Sequence, residues 1–223
     1  MVIFFLGMVK PNIDYDAPTY IHFDPVRPFV YPAYIWLFHW MGRFQFEGVV
    51  WTQSILTFSS LLYARFWLKK HLKIAEPFIF AIIFVVLISI SFHFQMFYVE
   101  SEGLAFPVFI ITFFTLIECF QSFQLKKILL LALLTCILVL TRLQFYFFYP
   151  IFILLLFQVF NNMPRKSFIL TSVILIGSIV FTQLIDRGYH YFKHGFFGSA
   201  PYAGIIASIQ PIYLAGKDAP SYF

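Results

Sequence analysis

The chain has 223 residues, of which 61% are hydrophobic, 22% are aromatic and only 11% are charged. Soluble domains carry about a quarter charged residues, so this chain lacks the polar surface that a water-exposed fold needs. Its net charge of +5 does not indicate nucleic-acid binding, because the Lys and Arg residues stand at the ends of apolar runs. We therefore expect an all-α, multi-pass integral membrane protein.

Five apolar segments are long enough to cross a bilayer as helices. They cover about 48–68, 76–97, 103–123, 127–160 and 167–185. The fourth is too long for one span and is interrupted at Thr141-Arg142, so we expect two short helices there. The apolar stretch 1–9 is too short to cross, and we expect it to be the end of a truncated first span. About seven transmembrane helices are therefore predicted.

Basic residues between these segments predict the orientation of the chain. They form three clusters, which contain Arg65, Lys69, Lys70 and Lys73, then Lys126 and Lys127, then Arg165 and Lys166. Because two predicted spans separate neighbouring clusters, all three lie on one side, which the positive-inside rule assigns to the cytoplasm. We expect a bacterial inner (plasma) membrane, with the opposite loops outside the cytoplasm.

The segment 28–41 decides where the first loop runs. It has 14 residues, two prolines and four Trp or Tyr residues, which favour the membrane interface. We therefore expect juxtamembrane helices that lie along the outer face. A short tilted span is the alternative. In the first case the loop 10–47 and the turn 98–102 face the same side of the membrane.

The outer loop 10–47 carries an acidic pair and an arginine. Asp14 and Asp16 follow the first span, where one of them can act as a general base at the membrane surface. Arg27 precedes Pro28, which restricts it to an extended or turn conformation suited to holding a phosphate. The alternative is that the two aspartates are solvated turn residues.

Two further charged residues stand at predicted membrane boundaries. Glu102 lies in the turn before the third segment, where a polar group is energetically expensive and tends to be functional. The alternative for its neighbours Glu100 and Ser101 is that they cap the following helix. Arg142 interrupts the long apolar run, where it can bind a phosphate or extend its guanidinium to the interface.

Two histidines near the end of the last predicted span invite comparison with a metal site. His190 and His194 have the i, i+4 spacing of helical metal ligands. No third ligand accompanies them in the sequence, and an interfacial position after the last span is the simpler interpretation. We therefore predict no metal site and no cofactor.

Four of these features, in this order, resemble landmarks of the GT-C glycosyltransferases of the aminoarabinose-transferase and protein O-mannosyltransferase type. They are Asp14-Tyr-Asp16 for an acidic pair, Arg27-Pro-Phe-Val-Tyr for a basic-Pro-Pro-Leu segment, Glu100-Ser-Glu102-Gly-Leu for an acidic turn, and Leu140-Thr141-Arg142 for a Leu-Thr-Lys-like break. The resemblance covers roughly residues 1–160. It departs from the family pattern in the separated aspartates, in Phe29 at the second proline, and in Glu for Asp at the turn.

The resemblance implies a membrane glycosyltransferase with a polyprenyl-phosphate sugar as donor. Asp14 or Asp16 would accept the proton of an acceptor hydroxyl, and configuration at the anomeric carbon would invert. Arg27 and Arg142 would stabilise the departing phosphate, and Glu102 would orient the acceptor or a basic partner. The expected partners are this lipid-linked sugar donor, an unknown acceptor (lipid, glycan or protein) and membrane lipid, without nucleic acid.

The resemblance also divides the chain. Residues 1–185 would form a GT-C-like transmembrane module, and residues 186–223 an outer-face segment that is incomplete. Two other hypotheses stay open: a polytopic transporter or flippase subunit, and an inactive fragment. A transporter predicts ionisable residues near the membrane midplane, whereas here they gather at the outer boundary.

Overall fold

The computed structural model describes residues 11–13, 16–92 and 97–199, and this part of the chain is helical and contains no β-strand. Its helices are α1 (Ala17–Ile21), α2 (Val30–Trp36), α3 (Gln45–Leu72), α4 (Glu76–Phe92), α5 (Ser101–Gln121), α6 (Leu125–Thr141), α7 (Phe148–Asn162) and α8 (Arg165–His194). Short 3₁₀ turns at His39–Phe44 and Leu143–Phe147 precede α3 and α7. The predicted all-α class is confirmed for these residues.

Three of the described helical segments are long and apolar enough to cross a membrane. They are Ser101–Gln121, Leu143–Asn162 and Arg165–His194. An apolar helix at Glu76–Ser89 is shorter. These segments fit a membrane protein, while the count of about seven spans stays a prediction. The first predicted span, at 1–9, lies outside the described residues.

Helix ends follow local sequence signals. The long apolar run breaks where expected: α6 ends at Thr141, and Arg142 is extended with φ −150° and ψ 123°. The last helix is longer than predicted. It continues past residue 185 to His194 and ends at Gly195, whose φ of +78° suits a residue without a side chain. Residues 186–194 of the predicted outer-face segment are therefore helical.

The segment 28–41 does not form a spanning helix. Within it α2 has only seven residues, which corresponds to about 10 Å of helix. Two of its large side chains are exposed, Trp36 at the end of α2 and Trp40 in the following 3₁₀ turn. Tyr31 and Ile35, on the other face, are fully buried against the bundle. Segment 28–41 therefore contains no single helix long enough to cross a membrane, and its position along the outer face stays a prediction.

The helices pack in a sequential bundle in which α5 lies between α3 and α6, and α8 contacts both α6 and α7. Small and hydroxyl side chains let α3 and α5 approach closely, as membrane helix interfaces require. Gly103 on α5 lies directly against Gln53 of α3, and the other buried small or hydroxyl residues of the two helices include Ser54, Thr57, Ser60 and Ala64 on α3 and Thr112 and Thr115 on α5. A separate hydrophobic core, rich in Leu and Phe side chains, is formed by residues of α5, α6, α7 and α8.

Side-chain contacts identify the two ends of this bundle. At one end, here named the basic end, Arg65 pairs with Glu76 at 3.0 Å and Lys127 pairs with Glu118 at 2.8 Å. Gln158 of α7 donates to the carbonyl of Phe120 at the same end. The three basic clusters therefore share one end, as expected from the number of spans between them. Which side of the membrane this end faces stays a prediction.

Candidate functional site

A cavity of about 260 Å³ lies at the opposite end, here named the site end. Its walls come from three separate parts of the chain: the segment between α1 and α2, the first turn of α5, and the junction of α6 with α7. Charged and polar lining residues are Tyr20, Arg27, Ser101, Thr141, Arg142, Gln144 and Tyr146. The cavity therefore combines two arginines with hydroxyl and amide groups.

The first arginine is brought to the cavity by a tight turn after α1. Pro18 at the start of α1 suits the first helical turn, and Phe23 ends the helix in the left-handed region with φ 54°. The Asp24 carboxylate then accepts a hydrogen bond from the amide of Val26 at 3.0 Å, and its carbonyl accepts from the amide of Arg27. This turn directs Arg27 back onto α1.

Three groups of α1 and its N-terminus hold the Arg27 guanidinium. It forms an ion pair with the Asp16 carboxylate at 2.7 Å and donates to Thr19 Oγ1 at 2.9 Å. It also donates to the Tyr20 hydroxyl at 3.0 Å. The Asp16 side chain is half exposed, whereas that of Arg27 is largely covered. Asp16 is therefore the partner of this pair that water or a ligand can reach.

The second arginine lies across the cavity. Arg142 leaves the end of α6 in an extended conformation, and its guanidinium forms an ion pair with Glu102 in the first turn of α5. The amide groups at a helix N-terminus favour a carboxylate there. The break after Thr141 is thus what allows Arg142 to reach α5 instead of continuing along α6.

A chain of hydrogen bonds connects the two arginine pairs. An arginine only donates, so Tyr20 accepts from Arg27 and its own proton is directed to Ser101 Oγ, 3.0 Å away. Ser101 in turn donates to Glu102 Oε2 at 3.3 Å. Burial raises the pKa of Tyr20, so its phenol keeps the proton that this arrangement needs. The two pairs are therefore one network.

The structure brings four of the five predicted site residues to one place. Asp16, Arg27, Glu102 and Arg142 lie in or beside the cavity, although they come from four segments of the chain. Asp14 lies outside the described residues, so its position relative to the cavity stays a prediction. The roles assigned to all five residues likewise stay predictions.

Tyr20 and Ser101 are the members of the network that sequence reasoning missed. The sequence contains a signal for Tyr20. Ala17-Pro18 begins a short helix, and the i, i+4 spacing of residues 16 and 20 places Tyr20 on the same face as Asp16. Ser101 was interpreted only as a capping residue. Its hydroxyl instead links α5 to α1, a contact that no local pattern predicts.

A larger apolar groove, of about 690 Å³, adjoins the cavity. Leu104 and Ile137 line it, one helical turn along α5 and α6 from the cavity residues Ser101 and Thr141. Apolar side chains of α2 form much of the remaining wall, and Lys193 contributes a cation. The site end therefore offers a polar compartment next to an apolar one.

The two histidines singled out in the sequence do not form a metal site with other described residues. No group of three His, Cys, Asp or Glu side chains in residues 11–13, 16–92 and 97–199 could hold a metal ion. His190 is fully buried, contrary to the expected interfacial position, and its Nε2 contacts the carbonyl of Pro25. His194 Nε2 contacts the Tyr189 hydroxyl.

Comparison of this chain with protein-family models, with curated proteins and with solved structures finds no match.

Proposed function

We propose that the chain is a GT-C-type membrane glycosyltransferase that transfers a sugar from a polyprenyl-phosphate donor to an acceptor hydroxyl, with inversion. About seven spans and a site end outside the cytoplasm, in a bacterial inner membrane, belong to this proposal. The observation that carries it is the convergence of Arg27 and Arg142 on one cavity, each paired with a carboxylate. The resemblance to GT-C glycosyltransferases assigns both arginines to the departing phosphate.

The ion pairs explain how the cavity would accept an anion. Asp16 and Glu102 neutralise the two guanidinium groups. A phosphate competes for the same groups, because the planar guanidinium matches phosphate oxygens as well as it matches a carboxylate. Donor binding would therefore exchange a carboxylate for a phosphate at Arg27, at Arg142 or at both.

The same exchange would prepare the chemical step. The acceptor oxygen forms a bond with the anomeric carbon while the bond from that carbon to the phosphate oxygen breaks. The electron pair of the breaking bond leaves with the phosphate. The negative charge of the phosphate grows and is stabilised by Arg27 and Arg142. The proton of the acceptor hydroxyl passes to Asp16, half exposed and released from Arg27, or to Asp14.

The groove beside the cavity supports a lipid-linked donor over a water-soluble one. Apolar residues of α2, α5 and α6 line the groove, and it begins one helical turn from the polar residues. An amphiphile with its phosphate between the arginines would place its first isoprene units there. A soluble nucleotide sugar would leave this apolar surface without a ligand group to cover it.

The experiment that tests the proposal measures release of polyprenyl phosphate from a polyprenyl-phosphate sugar by the purified protein in lipid nanodiscs, supplied with lipid, glycan and peptide hydroxyls as acceptors. We expect turnover in the unaltered protein and its loss in the double variant Asp14→Asn, Asp16→Asn, since a general base contributes about 10²–10⁴-fold. Glu47→Gln removes a carboxylate in the first turn of α3, outside the cavity lining, and should leave turnover unchanged. Equal rates in the double variant and the unaltered protein would reject the assigned base. Transport of a lipid-linked sugar without donor cleavage would favour the transporter hypothesis.

A further inference from the structure

The last turns of α8 contact the turn that carries Arg27. His190 Nε2 lies 3.0 Å from the carbonyl oxygen of Pro25, and the Tyr189 hydroxyl donates to the carbonyl of Phe23 at 3.3 Å. The ammonium group of Lys193 lies 5.5 Å from the centre of the Phe23 ring. Phe23 has a left-handed backbone that is unfavourable for a residue with a Cβ. The contacts from α8 therefore hold a strained turn.

Both ring nitrogens of His190 face backbone carbonyl oxygens. Nδ1 lies 2.7 Å from the backbone oxygen of Asp186, and Nε2 faces Pro25. A neutral imidazole carries one N–H, so it would set a lone pair against one of these oxygens. The doubly protonated ring donates to both. Since His190 is fully buried, that ring needs a nearby negative charge.

Asp186 supplies this charge. Its side chain is 1% exposed, and its Oδ1, 3.6 Å from His190 Nδ1, makes no hydrogen bond to any described group. Oδ2 accepts a hydrogen bond from Ser199 at 2.5 Å. A buried carboxylate oxygen without a donor is costly unless a cation lies beside it. Among the described residues, Tyr189 and His194 lie beside the His190 ring, and Lys193 and Asp24 interact with His194.

We infer that His190, as an imidazolium paired with Asp186, is a positioning residue that latches the turn Phe23–Arg27 to α8. The latch fixes the carbonyl of Pro25, two residues before Arg27, and so fixes the guanidinium at the cavity wall. Its effect on donor binding depends on the proposed function, whereas the latch itself does not. The ring of His190 contacts the carbonyl oxygens of Asp186 and Pro25, neither of which lines the cavity, so its effect on the site passes through Arg27.

A matched pair of substitutions isolates the contact with Pro25. His190→Gln places an amide N–H near the position of Nε2 and preserves donation to Pro25. The shorter side chain of His190→Asn places its amide near the position of Nδ1 and does not reach Pro25. The reporter is Val26→Cys, in the latched turn, and its rate of modification by a maleimide measures opening of that turn. Cys119 and Cys136 are both buried, and protein without the reporter measures their background.

We expect His190→Asn to raise the rate of reporter modification about tenfold, as loss of a charged hydrogen bond predicts. His190→Gln removes the cation beside Asp186 but keeps donation to Pro25, so its rate of modification should stay at least about threefold below that of His190→Asn. Asp186→Asn keeps a partner for Ser199 but removes the charge, so the ring becomes neutral and its single N–H goes to the nearer carbonyl, that of Asp186. The contact with Pro25 is then lost, and the turn should open as in His190→Asn. Equal modification in His190→Asn and His190→Gln overturns the latch. If His190→Asn does not fold, equal modification in Asp186→Asn and the parent overturns it.

The same reporter separates the latch from the proposed function, because Val26 lines the cavity. Long-chain polyprenyl phosphate in the nanodisc should slow modification of the parent, and it should protect His190→Asn at least about tenfold less well. Protection that is equal in these two proteins contradicts the effect on Arg27. Absence of protection in every variant contradicts the proposed donor, while the contrast between His190→Asn and His190→Gln still decides the latch.

Discussion

Glu102 in the first turn of α5 forms an ion pair with Arg142, the residue that follows the last turn of α6. The pair joins the start of α5 to the end of α6 at the open end of this hairpin, and it brings the Arg142 guanidinium to the cavity wall. Because Ser101 and Tyr20 connect Glu102 to Arg27, the pair also belongs to a network that spans the cavity. The predictions below test this network, the bundle that supports it and its place in the membrane.

Replacing Arg142 tests whether the cavity binds a phosphate. We expect Arg142→Ala to weaken binding of polyprenyl phosphate about tenfold to hundredfold, because a hydrogen bond to a charged group contributes about 1.5–3 kcal/mol. The measurement is the apparent Kd in nanodiscs, at fixed ionic strength. Arg187→Ala is the control, since Arg187 is an exposed arginine in the C-terminal part of α8, at the site end of the bundle, and does not line the cavity. A loss of affinity that is equal in both variants would indicate general surface electrostatics instead of a site.

Removing the Tyr20 hydroxyl interrupts the network without removing a charge. In Tyr20→Phe, Arg27 loses an acceptor and Ser101 loses a donor, so we expect donor KM to rise about tenfold, as one or two hydrogen bonds predict. Tyr63→Phe is the control, because Tyr63 packs against Phe114 and lines neither the cavity nor the groove. It should change KM little. Similar KM values for the two variants would contradict a role for the network in donor binding.

The raised pKa of Tyr20 also gives an expected pH dependence. Burial favours the neutral phenol in the folded protein, so the contribution of Tyr20 is fully present below about pH 10. It is lost only as the pH rises through the raised pKa. The ratio of donor KM in Tyr20→Phe to that in the unaltered protein should therefore stay constant between about pH 6 and 9. A ratio that decreases as the pH rises from about 6 to 9 would show that the phenol ionises in that pH interval.

Gly103 tests the close approach of α3 and α5. A Cβ at this position would lie 2.7 Å from the amide of Gln53, which is buried and donates to the Tyr31 hydroxyl at 2.8 Å. We expect Gly103→Ala to destabilise the protein by about 1–3 kcal/mol, as overpacking does. Gly177→Ala, on an open face of α8, should be neutral or slightly stabilising because alanine favours the helix. Thermal unfolding in detergent compares the two, and equal unfolding temperatures would contradict this contact.

Trp40 tests the position of the segment between α2 and α3 at the membrane interface. Its side chain is 82% exposed, whereas Trp67 is buried between helices. In variants that retain only one tryptophan, we expect Trp40 fluorescence to be quenched more by a quencher at the lipid headgroup than by one near the bilayer centre. Trp67 should respond weakly to both. Stronger quenching of Trp40 from the bilayer centre would place this segment within the membrane.

Helix type and helix ends were the predictable part of the fold. Apolar runs that exceed a bilayer thickness identify α5 and α8, and the polar pair Thr141-Arg142 identifies the break after α6. The end of α8 was missed because Asp186 and Arg187 look like the start of a polar loop. Their position is explained only by tertiary contacts, since Asp186 is buried beside His190.

The candidate site was predictable as a set of charged residues but not as a network. Arginines and carboxylates at membrane boundaries are expensive, so their positions in the sequence are informative. The sequence does not state which carboxylate meets which arginine. The pairing of Asp16 with Arg27 depends on the turn at Phe23, whose left-handed backbone no residue preference predicts. The hydrogen bond between Tyr20 and Ser101 likewise depends on where α1 meets α5.

The most direct measurement is a structure of the protein in a nanodisc with polyprenyl phosphate bound. The account predicts phosphate oxygens within hydrogen-bond distance of both Arg27 and Arg142, with at least one of the carboxylates of Asp16 and Glu102 displaced. The hydrocarbon chain should enter the groove beside Leu104 and the neighbouring helices. A phosphate bound elsewhere, with both arginine–carboxylate pairs intact, would contradict the account.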